Sequence, residues 1–336
     1  MIWGHFLYSQ WALVLCVTAS ITLLQLRIRS LFPLTAIYFI TLSILSSFWF
    51  DWHNENHPAI QERLHAASAQ TTIAIMVLVG FFSVITDRQV RSICAVLGAF
   101  GQMVGLSVVA AAIAYGSVQY KTPVFMNPSM TASFVAVTMP FAIVLTRHHK
   151  RLWWPILLNT LVTVLVCKAI APVAVLGAVC AVLFWDRVWF WVTAWVSFAY
   201  AITQLNLGSS GRFEKWGIAL TGFLKFDLAD ILFGLGAGST QVYLPLWDKN
   251  PDGTWTYLHN DWLQIGIEFG IVGLLLVLIC YTALIKSTVR NPLVLAATLG
   301  YGVLMALNPP MHWALYAFCG AAIFRYGMTQ DTTLTG

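Results

Sequence analysis

The residue types that can do chemistry gather where a polar segment runs into an apolar one, at Leu258-His259-Asn260-Asp261-Trp262-Leu263-Gln264. An imidazole of ordinary pKa, roughly 6.5, can take a proton from a hydroxyl, which makes His259 a candidate general base. Taken alone, it reads first as an interfacial histidine with no chemical task. Gly266, Gly270 and Gly273 follow, at spacings of four and three that predict one face of a helix. Such a face lets another helix approach closely in a membrane, and it would fix where His259 points. Glu268 lies inside the same run; it is either functional or a hydrogen-bonded structural carboxylate. Two other groupings compete. His53 and His57 in Asp51-Trp52-His53-Asn54-Glu55-Asn56-His57 have the i, i+4 spacing of a metal pair on a helix, but the two Asn and Pro58 favour a solvated loop. Gly208-Ser209-Ser210-Gly211 fits the GxSG pattern of an intramembrane serine protease. That chemistry needs serine and histidine below the membrane surface, whereas Ser210 falls in a polar turn and His259 at a helix entrance.

The elements that must carry these residues are set by composition. Of 336 residues, 59% are hydrophobic and 9% charged, with mean hydropathy +0.77. A soluble domain carries roughly 25% charged residues, so a soluble globular protein, a disordered chain and a nucleic-acid binder are excluded. The expected class is all-α: one polytopic membrane domain over 1–336. Apolar runs at 6–26, 33–50, 69–86, 92–114, 130–146, 152–167, 169–185, 188–204, 262–285, 292–307 and 311–324 predict about eleven spans of the length a bilayer needs. The runs on either side of Lys168 are short, and are read as a possible bent hairpin. The first run is followed by Arg27 and Arg29 rather than a small-residue cleavage site, so it reads as a retained helix. Cys16, Cys94, Cys167, Cys180, Cys280 and Cys319 are scattered through apolar runs and read as small core residues. A secondary transporter would show two related halves with broken helices, and the sequence contains no such repeat.

Charge sets the expected orientation. With the first helix entering from outside, the cytoplasmic loops hold Arg27, Arg29, Arg88, Arg91, Arg147, Lys150, Arg151, Arg187, Lys286, Arg290 and Arg325. The positive-inside rule favours that arrangement. It leaves Asp51, Glu55, Glu62, Glu214, Asp227, Asp230, Asp248, Asp252 and Asp261 outside, together with the long segment 205–261. Apolar residues such as Phe213, Trp216, Leu220, Phe223 and Leu224 predict a short interfacial helix at 212–224 within it.

Four stretches then resemble one family, in its order and on the exterior side. His259-Asn260, nine residues, and Gly270-Ile271-Val272-Gly273 are similar to the H-[NSQ]-x9-G-x-x-G signature of the O-antigen ligase/polymerase superfamily. These are integral membrane glycosyltransferases of the GT-C type. Ser210-Gly211-Arg212, with Trp216 and Ala219-Leu220, resembles the family's S/G-R-x3-W-x2-AL segment. Phe233-Gly234-Leu235-Gly236-Ala237-Gly238-Ser239 resembles its G-x-G-x-G turn, and Phe125-Met126-Asn127-Pro128-Ser129, ahead of Pro140, its F-x-N-P-N helix entry. The resemblance covers 125–285. It departs at Cys167-Lys168, where the family commonly has Ser-Arg.

The resemblance implies transfer of a glycan from an undecaprenyl diphosphate carrier to an acceptor hydroxyl, on the periplasmic face of a bacterial inner membrane. Diphosphate leaves readily, so the needs are cations for its developing charge and a base for the acceptor proton. Arg212 would grip the diphosphate through bidentate hydrogen bonds, against the plainer reading of a snorkelling residue paired with Glu214. Lys168 would add a second charge, and His259 would be the base. Lys168, Asn260, Asn127 and Gly236 are the implied substrate-binding residues. Gly234, Gly236 and Gly238 would let the backbone turn near the diphosphate, or serve simply as a loop. No cofactor or metal is implied. The partners are the lipid-linked donor, the bilayer and an acceptor, with no nucleic acid. The acceptor expected first is lipid A–core oligosaccharide, as in a ligase; a growing glycan (a polymerase) or a pilin-like protein remains open.

Overall fold

A central helix apolar on every side has to be surrounded. In the computed structural model that helix is α2 (Pro128–Leu145): Met130 through Ile143 are all buried. Around it stand α1 (Asp87–Tyr115), α3 (Trp153–Cys167), α4 (Ile170–Leu183) and α10 (Pro292–Leu307). The structure describes residues 87–116, 128–146, 149–184, 212–236, 239–248, 258–308 and, between 319 and 326, all but 321 and 324. Among them 88% are helical and none lies in a strand, which bears out the all-α class. Arg88–Tyr115, Pro128–Leu145, Lys150–Cys167 and Gly270–Thr288 are long and apolar enough to cross a membrane, and the chain is a membrane protein. The expected runs 6–26, 33–50, 69–86 and 188–204, and most of 311–324, lie outside the described residues.

The described residues divide into two compact units. One holds those of Thr86–Ser210, Ala283–Asn308 and Cys319–Gly336. Its helices pack through small residues, as expected where lipid removes the hydrophobic drive between helices. A Cβ on Gly98 of α1 would lie 2.4 Å from the Ala142 backbone nitrogen, and one on Gly101 would meet the Thr138 hydroxyl. Gly105 leaves room for Asn159 and Thr163. These three glycines recur at i, i+3 and i+7, one stripe of α1. Polar side chains then tie α1 to α3: the Asn159 amide donates to Gln102 Oε1 (2.9 Å) and Gln102 Nε2 donates to Thr160 Oγ1 (3.2 Å). In α10, Gly300 packs on Val179 and Val175 of α4, and Tyr301, fully buried, sits beneath Gly320.

Lys168 joins α3 to α4 as an exposed C-cap with left-handed backbone (φ 47°, ψ 44°). Glycine is the usual occupant of that conformation. The two short runs are therefore two helices meeting at a tight turn.

The other unit holds the described residues of Gly211–Thr282. It contains α5 (Arg212–Phe223), α6 (Leu228–Phe233), α7 (Ser239–Asp248), α8 (Asp261–Glu268) and the start of α9 (Gly270–Thr288). Ala219 and Phe223 of α5, Leu244 of α7 and Ile267 of α8 form its buried core, with Leu235 and Leu258 from the connecting segments. Here one expectation is corrected. The run 262–285 is not one helix, and Gly266, Gly270 and Gly273 do not line a single face. α8 stops at Glu268, and α9 starts at Gly270 with φ +70°. The cause is a backbone crossing: a Cβ on Gly270 would lie 2.2 Å from the Leu232 carbonyl oxygen, and one on Gly234 (φ +91°) 2.3 Å from that of Glu268.

Candidate functional site

Residues 258–260 are held by three separate contacts. Leu258 is fully buried in the core. Its carbonyl accepts a hydrogen bond from the Trp216 indole (2.7 Å). Asn260 is the N-cap of α8, its side-chain oxygen accepting from the Leu263 amide at 3.0 Å. Asn, Ser and related residues are favoured at that position because they satisfy an otherwise unpaired helix N–H. The cap accounts for Asn260 without a ligand.

His259 lies between these anchors, half-buried, with φ +52°. A residue with a Cβ costs roughly 1–2 kcal/mol there. Strain of this kind persists where surrounding contacts over-determine the backbone, and here Leu258 and Asn260 do so.

Arg212 opens α5, four residues before Trp216 and so on the same face one turn away. It is half-buried, and burial lowers its pKa. A guanidinium stays charged at neutral pH regardless. Both burial and a helix N-terminus disfavour a cation. The guanidinium of Arg212 and the leading amides of α5 lie at the same end of that helix. Glu214 is exposed, in the first turn, where an acid is favourable.

The frame under this end of α5 is rigid. Lys215 of α5 pairs with Asp248 of α7, both largely buried. Trp247 packs on Gly222, where a Cβ would come within 2.4 Å of its ring, and stacks on Tyr243 at 5.5 Å. The Leu235 amide donates to the Ile267 carbonyl (3.0 Å) and the Gly236 amide to that of Glu268 (2.9 Å). Glu268, 2% exposed, accepts through Oε1 from Thr240 (2.5 Å) and Gln264 (2.8 Å). This is the structural reading of that carboxylate: it bolts α7 to α8. Burial, then the charge of Asp227, raises the pKa of Asp230; burial, then Asp230, raises that of Tyr243.

Arg212, His259 and Asn260 belong to one unit, with Arg212 one turn from the Trp216 whose indole bonds the Leu258 carbonyl. Gly236 belongs to that unit as well, as part of the turn clamped on α8. Lys168 belongs to the other unit. Asn127, Ser210, Gly238 and the stretch 51–57 lie outside the described residues. Among the described residues no three His, Cys, Asp or Glu side chains group as a metal site. Neither a model of a known protein family nor a curated protein matches this chain.

Sequence reasoning assigned no role to Trp216 or Thr240. The signal for Trp216 was present: an i, i+4 partner of Arg212 shares its face. Thr240 left no signal, because its contact with Glu268 spans 28 residues.

Proposed function

We propose that this membrane protein transfers a glycan from an undecaprenyl diphosphate carrier to an acceptor hydroxyl, at the periplasmic face of a bacterial inner membrane. The observation that carries the reading is the Trp216 to Leu258 hydrogen bond. It ties α5, which Arg212 opens, to the segment before α8 that carries His259, 47 positions later in sequence. A diphosphate ester and a nucleophilic hydroxyl need such a pair. Arg212 would hold the diphosphate oxygens through its planar fork and offset the charge that grows as the sugar leaves. His259 Nδ1 or Nε2 would accept the acceptor's hydroxyl proton as the new glycosidic bond forms. The departing diphosphate is a weak base and needs no strong acid.

The test is transfer from a purified lipid-linked donor in detergent, with lipid A–core, free glycan and a pilin-like protein offered in turn. Lipid A–core is the acceptor proposed here, and the other two are alternative outcomes. His259→Ala should reduce transfer to background while the protein stays folded in the membrane. Undiminished transfer by that variant would remove the base and with it the reading. Transfer should persist in excess EDTA. Loss restored by Mg²⁺ or Mn²⁺ would bring Asp51 and Glu55 forward as ligands.

A further inference from the structure

α5 has three sectors where a soluble helix has two. Ala219, Gly222 and Phe223 face the core of their unit and are buried. Glu214 and Thr221 form an exposed polar strip. Between the two runs a third strip, Phe213, Leu220 and Leu224, apolar and 67%, 46% and 58% exposed. At about 100° per residue these positions fall within one narrow arc. On α6, Leu228 (71%) and Phe233 (51%) are exposed as well.

A helix in water has no use for the third strip, and a helix wholly inside a bilayer has none for the second. A bilayer surface matches both, with the apolar strip in the acyl region and the polar strip in water. Depth supplies an independent argument. Phe233 immediately precedes Gly234, whose backbone lies against Glu268 and Gly270. Gly270 is the first residue of the apolar, membrane-length helix α9. Next to it, Ile271, Leu275, Leu278 and Ile279 of α9 are 40–52% exposed, as side chains facing lipid would be. The apolar end of α6 is therefore tied to the level at which a span begins.

We infer that α5 and α6 form a ledge embedded in the bilayer surface, with Phe213, Leu220, Leu224, Leu228 and Phe233 in contact with the acyl chains of membrane lipids. This does not depend on the glycan-transfer reading. Where that reading also holds, the ledge sets Arg212 at the depth of lipid phosphates.

The test places single cysteines for spin labelling at 213, 220, 224, 228 and 233, and at 214 and 221 as the polar strip, in the full-length protein with its native cysteines replaced. The protein is reconstituted in vesicles of phosphatidylcholine and phosphatidylglycerol. Collision rates with oxygen, which partitions into lipid, are compared with those of a water-soluble nickel chelate. The expected result is an oxygen-to-nickel ratio several-fold higher at the five apolar positions than at 214 and 221. Equal ratios across all seven would overturn the proposal. So would spin–spin broadening that grows with protein density at 220 and 224, which would make the strip a contact with a second copy. Exposed positions tolerate such labels, and far-ultraviolet helicity checks that each variant is folded.

Discussion

At the scale of the residue, His259 couples position to strain. Its left-handed backbone (φ +52°) suits glycine better than any residue with a Cβ. His259→Gly should therefore leave the thermal midpoint in detergent unchanged or raise it, by a gain of up to about 1 kcal/mol. The same variant should lose transfer, as is expected of His259→Ala. A large fall in the midpoint would show that the imidazole is a structural part of the turn. Arg212 makes the matching case for the anion. Arg212→Lys keeps the charge and loses the fork, and should cut transfer severely. If lysine serves as well as arginine at 212, charge alone suffices. Trp216 acts through its indole N–H on the Leu258 carbonyl. Trp216→Phe keeps most of the apolar ring and should cost about 1–2 kcal/mol in stability, with transfer falling by much more than binding of the lipid-linked donor. A loss confined to stability would make Trp216 only a packing residue.

At the scale of the element, the decisive feature is the crossing of the Leu232–Gly236 turn over the junction of α8 and α9. Gly234 and Gly270 each leave no room for a Cβ against the other's backbone, and both have positive φ. Gly234→Ala must strain the backbone and push apart two segments joined by the Leu235 and Gly236 amides. We expect a loss of roughly 2–4 kcal/mol, from combined backbone strain and overpacking, read as a clear drop in the thermal midpoint. Gly217, with open space around its Cβ position, is the internal comparison: Gly217→Ala should be neutral or stabilising, since it sits mid-helix in α5. If both variants behave alike, the crossing is looser than its distances indicate.

At the scale of the whole molecule, compartment decides whether the proposed site could meet a periplasmic glycan donor. The basic run Arg147-His148-His149-Lys150-Arg151 should be cytoplasmic and 205–261 outside. Reporter fusions after residue 150 and within 249–257 measure this directly. An exterior signal at 150 would invert the topology and put Arg212 and His259 in the compartment away from a periplasmic donor. The glycine stripe of α1 and the Gln102–Asn159–Thr160 network show how the unit built around α2 coheres in lipid. Its close approach and interhelical hydrogen bonds replace the burial drive of a soluble core.

Composition and hydropathy were enough to make this chain an all-α membrane protein, because a bilayer permits few alternatives to an apolar helix of about 20 residues. The runs at 92–114 and 130–146 needed only that rule, and α1 and α2 occupy them; the run at 292–307 forms the shorter apolar helix α10. The helix at 212–224 was legible too, since its apolar spacing is local, and α5 is there. What the local pattern could not contain was the break at Phe269. Residues 262–285 are largely apolar, and the reason for the break lies in the Leu232 carbonyl, some forty positions earlier in the chain. The same holds for the candidate site. Spacing put Arg212 and Trp216 on one face, and residue type marked His259. The Trp216 to Leu258 hydrogen bond and the core shared by Ala219, Phe223, Leu258 and Ile267 tie the two segments together, and the left-handed turn between Leu258 and Asn260 sets the backbone from which the imidazole projects. Sequence pattern reports what each residue needs from its near neighbours and its solvent. Contacts across 28 to 42 positions depend on how the helices pack, and these are the contacts that tie this unit together.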